Sequence, residues 1–198
     1  MPSSDTFVSV VTVLHNNGDI VEAFAREVHQ ALSAEFSYFE ILLVDNASSD
    51  DTLQRLTPLL QELVGLRLLR LSRTMSSEIA VTAGLQTAIG DYTVVMHVDY
   101  DSAATAMQGL RIAREGSDFV QGTCDESAER NAIYRGLRRG FYYFCRNWLK
   151  LELIESATML RVMSRQAVNG ITRIRSRRRN FSLLAADVGL SRSIFPYS

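Results

Sequence analysis

The feature that most constrains the fold of this chain is a regular alternation of strand-like and helix-like segments. Residues 7–14 form a strand-like run of eight, and apolar residues then recur at every fourth position from residue 20 to residue 32. Residues 39–44 are almost continuously apolar, as buried parallel strands are. Strands that alternate with helices pack as a parallel sheet with helices on its faces. The pattern therefore predicts an α/β fold with a mostly parallel, Rossmann-like sheet flanked by helices.

The same alternation continues through most of the chain. It predicts further strands at residues 66–71, 92–98, 118–122 and 158–163, and further helices at residues 53–63, 77–89, 103–113, 165–171 and 181–188. Ser48 followed by Asp51 predicts a capping box at the start of the second helix, and Gly90 predicts the C-cap of the third. An aromatic and basic segment at residues 131–150 predicts a long helix that covers the core. We expect one domain over residues 1–198.

The charged residues are distributed unevenly along the chain. Residues 1–129 carry 7 basic and 19 acidic side chains, whereas residues 130–198 carry 14 basic and 3 acidic ones, and the whole chain has a net charge of −1. All but one of the basic residues are arginine, whose planar fork suits phosphate. Two interpretations are open: an ion-pair surface between the two parts, or acidic residues that hold a cation beside arginines that hold a phosphorylated substrate.

Composition excludes several classes of protein. With 46% hydrophobic and 22% charged residues, the chain is neither disordered nor collagen-like. Its 2 cysteines lack the CxxC spacing of redox and zinc motifs, so we expect reduced thiols in the cytoplasm. No apolar run approaches the roughly 20 residues of a membrane-spanning helix, so we expect any membrane contact to be peripheral or supplied by a partner.

Polar side chains follow two of the predicted strands. Asp45 and Asn46 follow the second strand, and His97, Asp99 and Asp101 follow the fourth. Ligands of parallel α/β folds bind at the carboxyl edge of the sheet. In an extended chain the period of two places His97, Asp99 and Asp101 on one side, where they could hold a metal ion. A solvated acidic loop beside a core histidine is the alternative.

Several motifs occur in an order that resembles a known enzyme family. They are VSVVTVLHN at residues 8–16, VDNASSDDT at 44–52, LSR at 71–73, EIAVTAGLQTAIGD at 78–91 and VVMHVDYD at 94–101. In this order the motifs resemble those of the family 2 inverting glycosyltransferases of the GT-A fold. The resemblance is greatest to the branch with dolichyl-phosphate mannose synthase and bacterial polyprenyl-phosphate sugar transferases. It implies a GT-A domain with hexosyltransferase activity.

The resemblance implies that a nucleotide-sugar donor and a metal ion bind to residues 1–129. The expected donor-binding residues are Val13, His15, Asp45, Asn46, Arg73 and Asp99. The metal motif of the family falls on His97, Asp99 and Asp101, where His97 replaces an aspartate and Asp101 replaces a glutamine. Because imidazole suits manganese better than magnesium, we expect a divalent cation with Mn2+ favoured over Mg2+.

Residues 130–198 are the expected acceptor half. The arginines expected to contact the donor diphosphate or an acceptor phosphate are Arg130, Arg135, Arg138 and Arg139, with a solvated helix face as the alternative. Asp99 and Glu155 are the expected catalytic residues. A hydroxyl acceptor needs a general base, whereas a phosphate acceptor is already an anion. The acidic residue common in this branch is absent at residues 156–158, so either Glu155 takes its role, or no base is needed, or activity is impaired.

Together these features predict an inverting sugar transfer from a nucleotide diphosphate to a polyprenyl-phosphate or glycan acceptor, in cell-surface polysaccharide or glycolipid synthesis. The expected location is the cytoplasm, at the inner face of the membrane. Two alternatives are a catalytically degenerate GT-A subunit that only binds or scaffolds, and a nucleic-acid binder driven by the arginines. The last is disfavoured because no helix-turn-helix or single-strand-binding pattern accompanies the charge, so no nucleic-acid partner is expected.

Overall fold

The computed structural model of the protein describes residues 4–124, 156–174 and 180–197, together with residues 137, 140, 141, 143, 144, 147, 148 and 154. The strands are β1 (Ser4–Leu14), β2 (Phe36–Asp45), β3 (Leu66–Arg70), β4 (Tyr92–Val95), β5 (Phe119–Thr123), β6 (Ala157–Ser164) and β7 (Arg192–Pro196). The helices are α1 (Gly18–Glu35), α2 (Thr52–Glu62), α3 (Ser77–Thr87), α4 (Ala103–Arg114), α5 (Arg165–Arg173) and α6 (Phe181–Asp187).

One seven-stranded sheet, in the order β3-β2-β1-β4-β6-β5-β7, runs through the described residues. β1 pairs in parallel with β2 on one side and with β4 on the other, and β3 continues the parallel part beyond β2. β6 lies antiparallel between β4 and β5, while β7 is parallel to β5. The predicted mostly parallel α/β fold is confirmed. The direction of β6 was not predicted, because the composition of a strand does not reveal its direction.

Helices cover both faces of the sheet. One face carries α1, α2 and α4 over buried side chains such as Val10, Ile41 and Val94. The other carries α3, α5 and α6 over side chains such as Val11 and Leu42. Since neighbouring residues of a strand point to opposite faces, a strand that is buried on both faces is almost continuously apolar. No helix among the described residues has the length and apolar character needed to cross a membrane.

The predicted role of Gly90 is wrong. α3 ends at Thr87, and Ala88 follows it in an extended conformation, so Gly90 is not the C-cap. A Cβ on Gly90 would lie 2.6 Å from the backbone nitrogen of Ser9, so the close approach of this loop to β1 requires a glycine.

β7 was also not predicted, because its sequence RSIFP lacks the apolar run or alternation that marks a strand.

The predicted core-covering helix at residues 131–150 lies largely outside the described residues. Within that segment, residues 137, 140, 141, 143, 144 and 147 are helical. The large apolar side chains described there are exposed: they are Leu137, Phe141, Tyr143, Phe144 and Trp148. The expectation that this helix covers the core is therefore wrong for these positions.

Gly84 lets α3 lie directly against β1. A Cβ at this position would be 2.4 Å from Cγ1 of Val11 and 3.1 Å from Cγ2 of Val44. We expect Gly84→Ala to lower the free energy of unfolding by about 1–3 kcal/mol, because these stiff β-branched side chains cannot move aside without shifting the helix. Urea unfolding followed by circular dichroism measures the change.

Gly140→Ala is the matched control, because nothing beyond the local helix backbone lies within 4 Å of the added methyl group. Position 140 is helical and exposed, so alanine should be neutral there or stabilise by up to about 1 kcal/mol. An equal loss of stability in both variants would contradict the packing of α3 on β1.

Candidate functional site

The loops that follow β1 and β2 are joined at the carboxyl edge of the sheet. Three successive backbone N–H groups of the first loop donate to side-chain oxygens of the second. The pairs are Asn16 with Ser48 Oγ (3.0 Å), Asn17 with Thr52 Oγ1 (2.9 Å) and Gly18 with Asp50 Oδ2 (3.1 Å). In return, Oδ1 of Asn16 accepts from the backbone N–H of Ser49 at 2.8 Å. The polar motif of residues 44–52 thus holds the two loops together.

These hydrogen bonds replace the predicted capping box, which is wrong. Oγ of Ser48 is engaged with the other loop, and α2 begins after Asp51 without a side-chain cap bond. Oδ1 of Asp50 instead accepts from the hydroxyl of Thr52 at 2.5 Å and from its backbone N–H at 3.0 Å. The bond from the Thr52 hydroxyl holds the pKa of Asp50 below its usual value. The start of α2 is therefore fixed by Asp50, one residue before the predicted acid.

Asp45, at the end of β2, is a fully buried carboxylate with one oxygen that accepts no hydrogen bond. Oδ1 accepts from the backbone N–H of Ser48 at 3.0 Å. Oδ2 forms an ion pair with Nε of Arg70, 3.5 Å away, but accepts no hydrogen bond from the described residues. A buried acceptor without a donor costs about 1–3 kcal/mol. Oδ2 is therefore suited to accept an N–H of a ligand at this edge.

Asn46 and His15 bind the neighbouring loops. Nδ2 of Asn46 donates to the carbonyl of Met75 at 2.9 Å, and Oδ1 accepts from the Met75 N–H at 2.8 Å. Any bond from Asn46 to a base would be additional to this pair. Nδ1 of His15 lies 3.0 Å from the Asn46 carbonyl, which can only accept, so Nδ1 is the donor of this hydrogen bond. Of the other expected residues at this edge, Val13 is half-buried and Arg73 is exposed.

The chain turns soon after β4, and the turn changes the placement of the predicted metal ligands. β4 ends at Val95, and residues 98–100 form a turn. Asp101 is buried; its Oδ2 accepts from the backbone N–H of His97 at 2.6 Å, and its Oδ1 accepts from the hydroxyl of Tyr197 at 2.5 Å. The expected extended spacing of the three side chains is wrong, because a short side chain that bonds nearby backbone competes with extended structure.

The residues of this turn do not form the expected three-ligand metal site. Nδ1 of His97 accepts the backbone N–H of Asp99 at 3.1 Å, so the proton of the neutral imidazole lies on Nε2. Both oxygens of Asp101 are engaged as described above. No group of three or more His, Cys, Asp or Glu side chains placed to hold a metal occurs among the described residues. The half-exposed carboxylate of Asp99 accepts no hydrogen bond from a described residue.

Tyr197 and Thr158 lie at this edge and were not predicted from the sequence. The hydroxyl of Tyr197, which donates to Asp101, lies 2.9 Å from Oγ1 of Thr158. Burial raises the pKa of the Tyr197 phenol, and the bond to Asp101 raises it further. The phenol therefore stays protonated and holds Asp101 in place. No local pattern marks this pair, because its two residues are far apart in the chain.

Arg161 of β6 is a half-buried cation near the same edge, and it was also not predicted. Its Nε donates to Oε1 of Gln121 at 3.1 Å, and its Cζ lies 5.0 Å from the centroid of the Phe181 ring. Burial lowers the pKa of the guanidinium to about 10, while the charges of Glu78 and Asp101 act in the opposite direction. Arg161 therefore remains charged at neutral pH. An arginine between apolar residues of a predicted strand was the available sequence signal.

Five expected site residues lie outside the described residues. They are Glu155, Arg130, Arg135, Arg138 and Arg139. Their roles at the acceptor side of the site stay predictions.

Two solved structures with the same fold are those of glycosyltransferases. Glucosyl-3-phosphoglycerate synthase from Mycobacterium tuberculosis, solved with Mn2+, uridine diphosphate and glucosyl-3-phosphoglycerate, matches with a TM-score of 0.64 and 15% identity, over 96% of this chain and 70% of its own. Mannosyltransferase PcManGT from Pyrobaculum calidifontis, solved with GDP-Man and Mn2+, matches with a TM-score of 0.63 and 17% identity, over 98% and 56% of the two chains. At sequence identities of 15% and 17%, these matches show only that the fold is shared, and it is the expected GT-A fold.

The sequence model of Glycosyl transferase family 2 matches residues 9–172, and the chain belongs to this family. The putative glycosyltransferase CsbB of Bacillus subtilis is 25% identical over 196 residues, which cover 96% of this chain and 58% of CsbB. The uncharacterized glycosyltransferase sll0501 of Synechocystis sp. is 26% identical over 183 residues, which cover 92% of this chain and 58% of sll0501. The chain thus spans 58% of the length of these two relatives.

Asn46→Asp tests the two hydrogen bonds between the Asn46 side chain and the Met75 backbone. The carboxylate keeps an acceptor for the Met75 N–H but loses the donor and faces the Met75 carbonyl with negative charge. We expect the free energy of unfolding at pH 7 to fall by about 1–3 kcal/mol, as measured by urea denaturation. Asn169→Asp makes the same chemical change at an exposed position of α5 and should leave stability almost unchanged. Equal stability of the two variants would show that the bond pair is not formed.

Proposed function

We propose that this chain is a glycosyltransferase domain that binds a nucleotide-diphosphate sugar at the carboxyl edge of β1, β2 and β4 and transfers the sugar with inversion. Membership of family 2 supports a nucleotide-sugar donor. The observation that carries the proposal is the buried Oδ2 of Asp45, which has no hydrogen-bond donor among the described residues. A nucleotide base with a ring N–H would supply the missing donor.

In this proposal the base lies over the ends of β1 and β2. Uracil, thymine and guanine each carry a ring N–H, and this group would donate to Oδ2 of Asp45. His15 and Val13 border the same place. The diphosphate would extend toward Arg73 and Asp99, which are exposed at the same edge of the sheet.

The proposed reaction is a single displacement at the anomeric carbon of the donor sugar. An acceptor oxygen forms a bond to this carbon as its bond to the diphosphate oxygen breaks, and the nucleoside diphosphate leaves with the electron pair. A polyprenyl phosphate would attack as an anion and has no proton to lose. A glycan hydroxyl would pass its proton to a general base, the role proposed for Glu155.

We also propose a divalent cation at the donor diphosphate, with manganese favoured over magnesium. The candidate ligands are His97, Asp99 and Asp101, and a bound cation would offset the negative charge that grows on the leaving group. The described turn does not present this set, since His97 and Asp101 are engaged by other groups of the chain. Asp99 is the residue of the three whose carboxylate is available, so we propose it as the principal ligand.

The acceptor is proposed to be a polyprenyl phosphate bound by residues 130–198. This half carries 14 basic and 3 acidic residues, and arginine binds phosphate with two parallel hydrogen bonds. Such an acceptor would place the chain in the branch with dolichyl-phosphate mannose synthase. The protein would then act in the cytoplasm, at the inner face of the membrane, in polysaccharide or glycolipid synthesis. A glycan acceptor is the alternative.

Titration calorimetry with uridine, thymidine and guanosine diphosphates tests the donor site. We expect one of the three to bind, and Asp45→Asn to weaken its binding about 5- to 100-fold, because a buried hydrogen bond to a charged acceptor is lost. Asp19→Asn makes the same change at an exposed position of α1 and should bind normally. Absence of binding by all three nucleotides to the folded protein would overturn the donor site. Repeating the titration with a chelator tests the proposed cation independently of the donor site. Nucleotide binding that survives chelation would overturn the proposed cation and leave the donor site standing.

Asp99→Ala tests the transfer itself. We expect loss of nucleoside diphosphate release from the matching nucleotide sugar, because Asp99 is the proposed principal ligand of the cation that offsets the charge of the leaving group. Its carboxylate is half-exposed, so thermal unfolding should be nearly unchanged. Wild-type turnover in this variant would overturn the assignment of Asp99.

A second candidate function is a nucleotide-binding subunit without catalysis. The turn after β4 favours it, because two of the three expected metal ligands are engaged by the chain itself. Donor binding without any release of nucleoside diphosphate would support this candidate. Release that depends on Asp99 would exclude it.

A further inference from the structure

The half-buried positive charge of Arg161 is not balanced by an ion pair with any described carboxylate. The charges of Glu78 and Asp101 act on the guanidinium, but neither side chain forms a hydrogen bond with it. Both oxygens of Asp101 are instead engaged with His97 and Tyr197. A charge that is partly removed from water without a counter-ion is costly. Arg161 therefore favours the binding of an anion beside it.

The guanidinium of Arg161 is held in place by neighbouring groups of the chain. Its Nε donates to Oε1 of Gln121 at 3.1 Å, and its Cζ lies 5.0 Å from the ring centroid of Phe181. The amide of Gln121 is fully buried and its orientation is fixed, because its Nε2 donates to three backbone carbonyls. The arginine is thus ordered before a ligand arrives, which lowers the entropic cost of binding one.

The terminal nitrogens of the guanidinium are largely left for a ligand. Nη2 lies 3.4 Å from the carbonyl of Thr158, which is long for a hydrogen bond, and Nη1 donates to no described residue. The two terminal nitrogens of an arginine can donate in parallel to two oxygens of one phosphate group. The unbalanced charge and the available donors therefore indicate the same kind of ligand, which is an oxyanion.

The position of Arg161 in the sheet places it beside the proposed donor site. In the antiparallel pairing of β6 with β4, Arg161 lies opposite Val95, the last residue of β4. Asp99 follows in the turn after this strand, at the carboxyl edge of the sheet. The oxyanions of the proposed reaction are the diphosphate of the donor and the phosphate of a polyprenyl acceptor, and both would be bound near this edge.

We propose that Arg161 binds a phosphate group of a substrate at the carboxyl edge of β4. Its charge offsets that of the phosphate, and its paired donors fix the orientation of the group. The inference deepens the proposed function and rests on it, because the phosphate belongs to the donor or acceptor of that reaction. The donor diphosphate and the acceptor phosphate present the same chemistry to an arginine, and separate ligands distinguish them.

Titration calorimetry with three ligands tests the proposal. They are the nucleoside of the matching donor, its diphosphate, and geranyl phosphate as a short polyprenyl phosphate. In Arg161→Gln we expect the diphosphate or geranyl phosphate to bind about 10- to 100-fold more weakly, because charge-assisted hydrogen bonds are lost. The nucleoside has no phosphate and should bind normally. Arg161→Lys keeps the charge without the paired donors, so its loss of affinity should be smaller.

Arg165→Gln is the matched control. Arg165 is also half-buried, and its guanidinium donates to the carbonyl of Gly90. It follows Ser164, which lies opposite Tyr92, the first residue of β4, so it belongs to the other edge of the sheet. The same change of charge there should leave the binding of all three ligands unchanged. Circular dichroism and urea unfolding show whether each variant is folded.

A loss of affinity confined to the phosphate ligands supports the proposal, and the ligand affected assigns Arg161 to the donor or the acceptor. An equal loss with all three ligands, or no loss with any, would overturn it. The proposal also fails, whatever the variants do, if the wild type binds the diphosphate no more tightly than the nucleoside and does not bind geranyl phosphate. Wild-type binding of the nucleotide judges the proposed donor site separately, so an unaltered Arg161→Gln variant leaves that site standing.

Discussion

The site depends on the parallel pairing of β1 with both β2 and β4. In this register Leu14, the last residue of β1, lies opposite Asp45, the last residue of β2. β4 runs in the same direction on the other side of β1, so the chain leaves all three strands at one edge of the sheet. Every residue that we assign to donor binding lies at the end of one of these strands or follows one of them or the neighbouring β3. If this pairing were antiparallel, the same residues would lie at opposite ends of the sheet.

Most polar residues of the motif after β2 position the loops, and few are left to bind a ligand. Ser48, Asp50 and Thr52 are engaged with the backbone of the loop after β1. Asn46 is engaged with Met75, whereas Oδ2 of Asp45 is left without a hydrogen bond among the described residues. Satisfied polar groups give the edge a fixed shape, and the unsatisfied acceptor gives it a preference for an N–H donor.

The turn after β4 shows the same division of roles. Asp101 satisfies the backbone N–H of His97 and the hydroxyl of Tyr197, so it fixes the turn and ties it to the C-terminal segment after β7. Asp99 is left at the surface of the turn with a half-exposed carboxylate. Arg161 adds a half-buried positive charge nearby, and its partial burial lowers the pKa of the guanidinium to about 10. The second half of the chain therefore contributes to the edge through β6 and β7 as well as through its basic composition.

The sequence by itself determined the fold class and the order of most elements. Continuous apolar runs such as residues 39–44 report burial on both faces of a strand, and helical periodicity reports burial on one face. These are local properties of the chain, so a linear pattern can reveal them. The polar residues after β2 and β4 were predicted at the correct edge for the same reason, since each follows a recognisable strand.

Only the tertiary structure decided what each polar group contacts. The roles of Gly90 and Ser48 depend on backbone groups of β1 and the loop after it, and the role of Asp101 depends on Tyr197, 96 residues further along the chain. It also decided that the large side chains described between residues 137 and 148 are exposed rather than buried. A pattern of residues states which groups are polar or apolar, but hydrogen bonds and burial require partners that folding brings from distant positions.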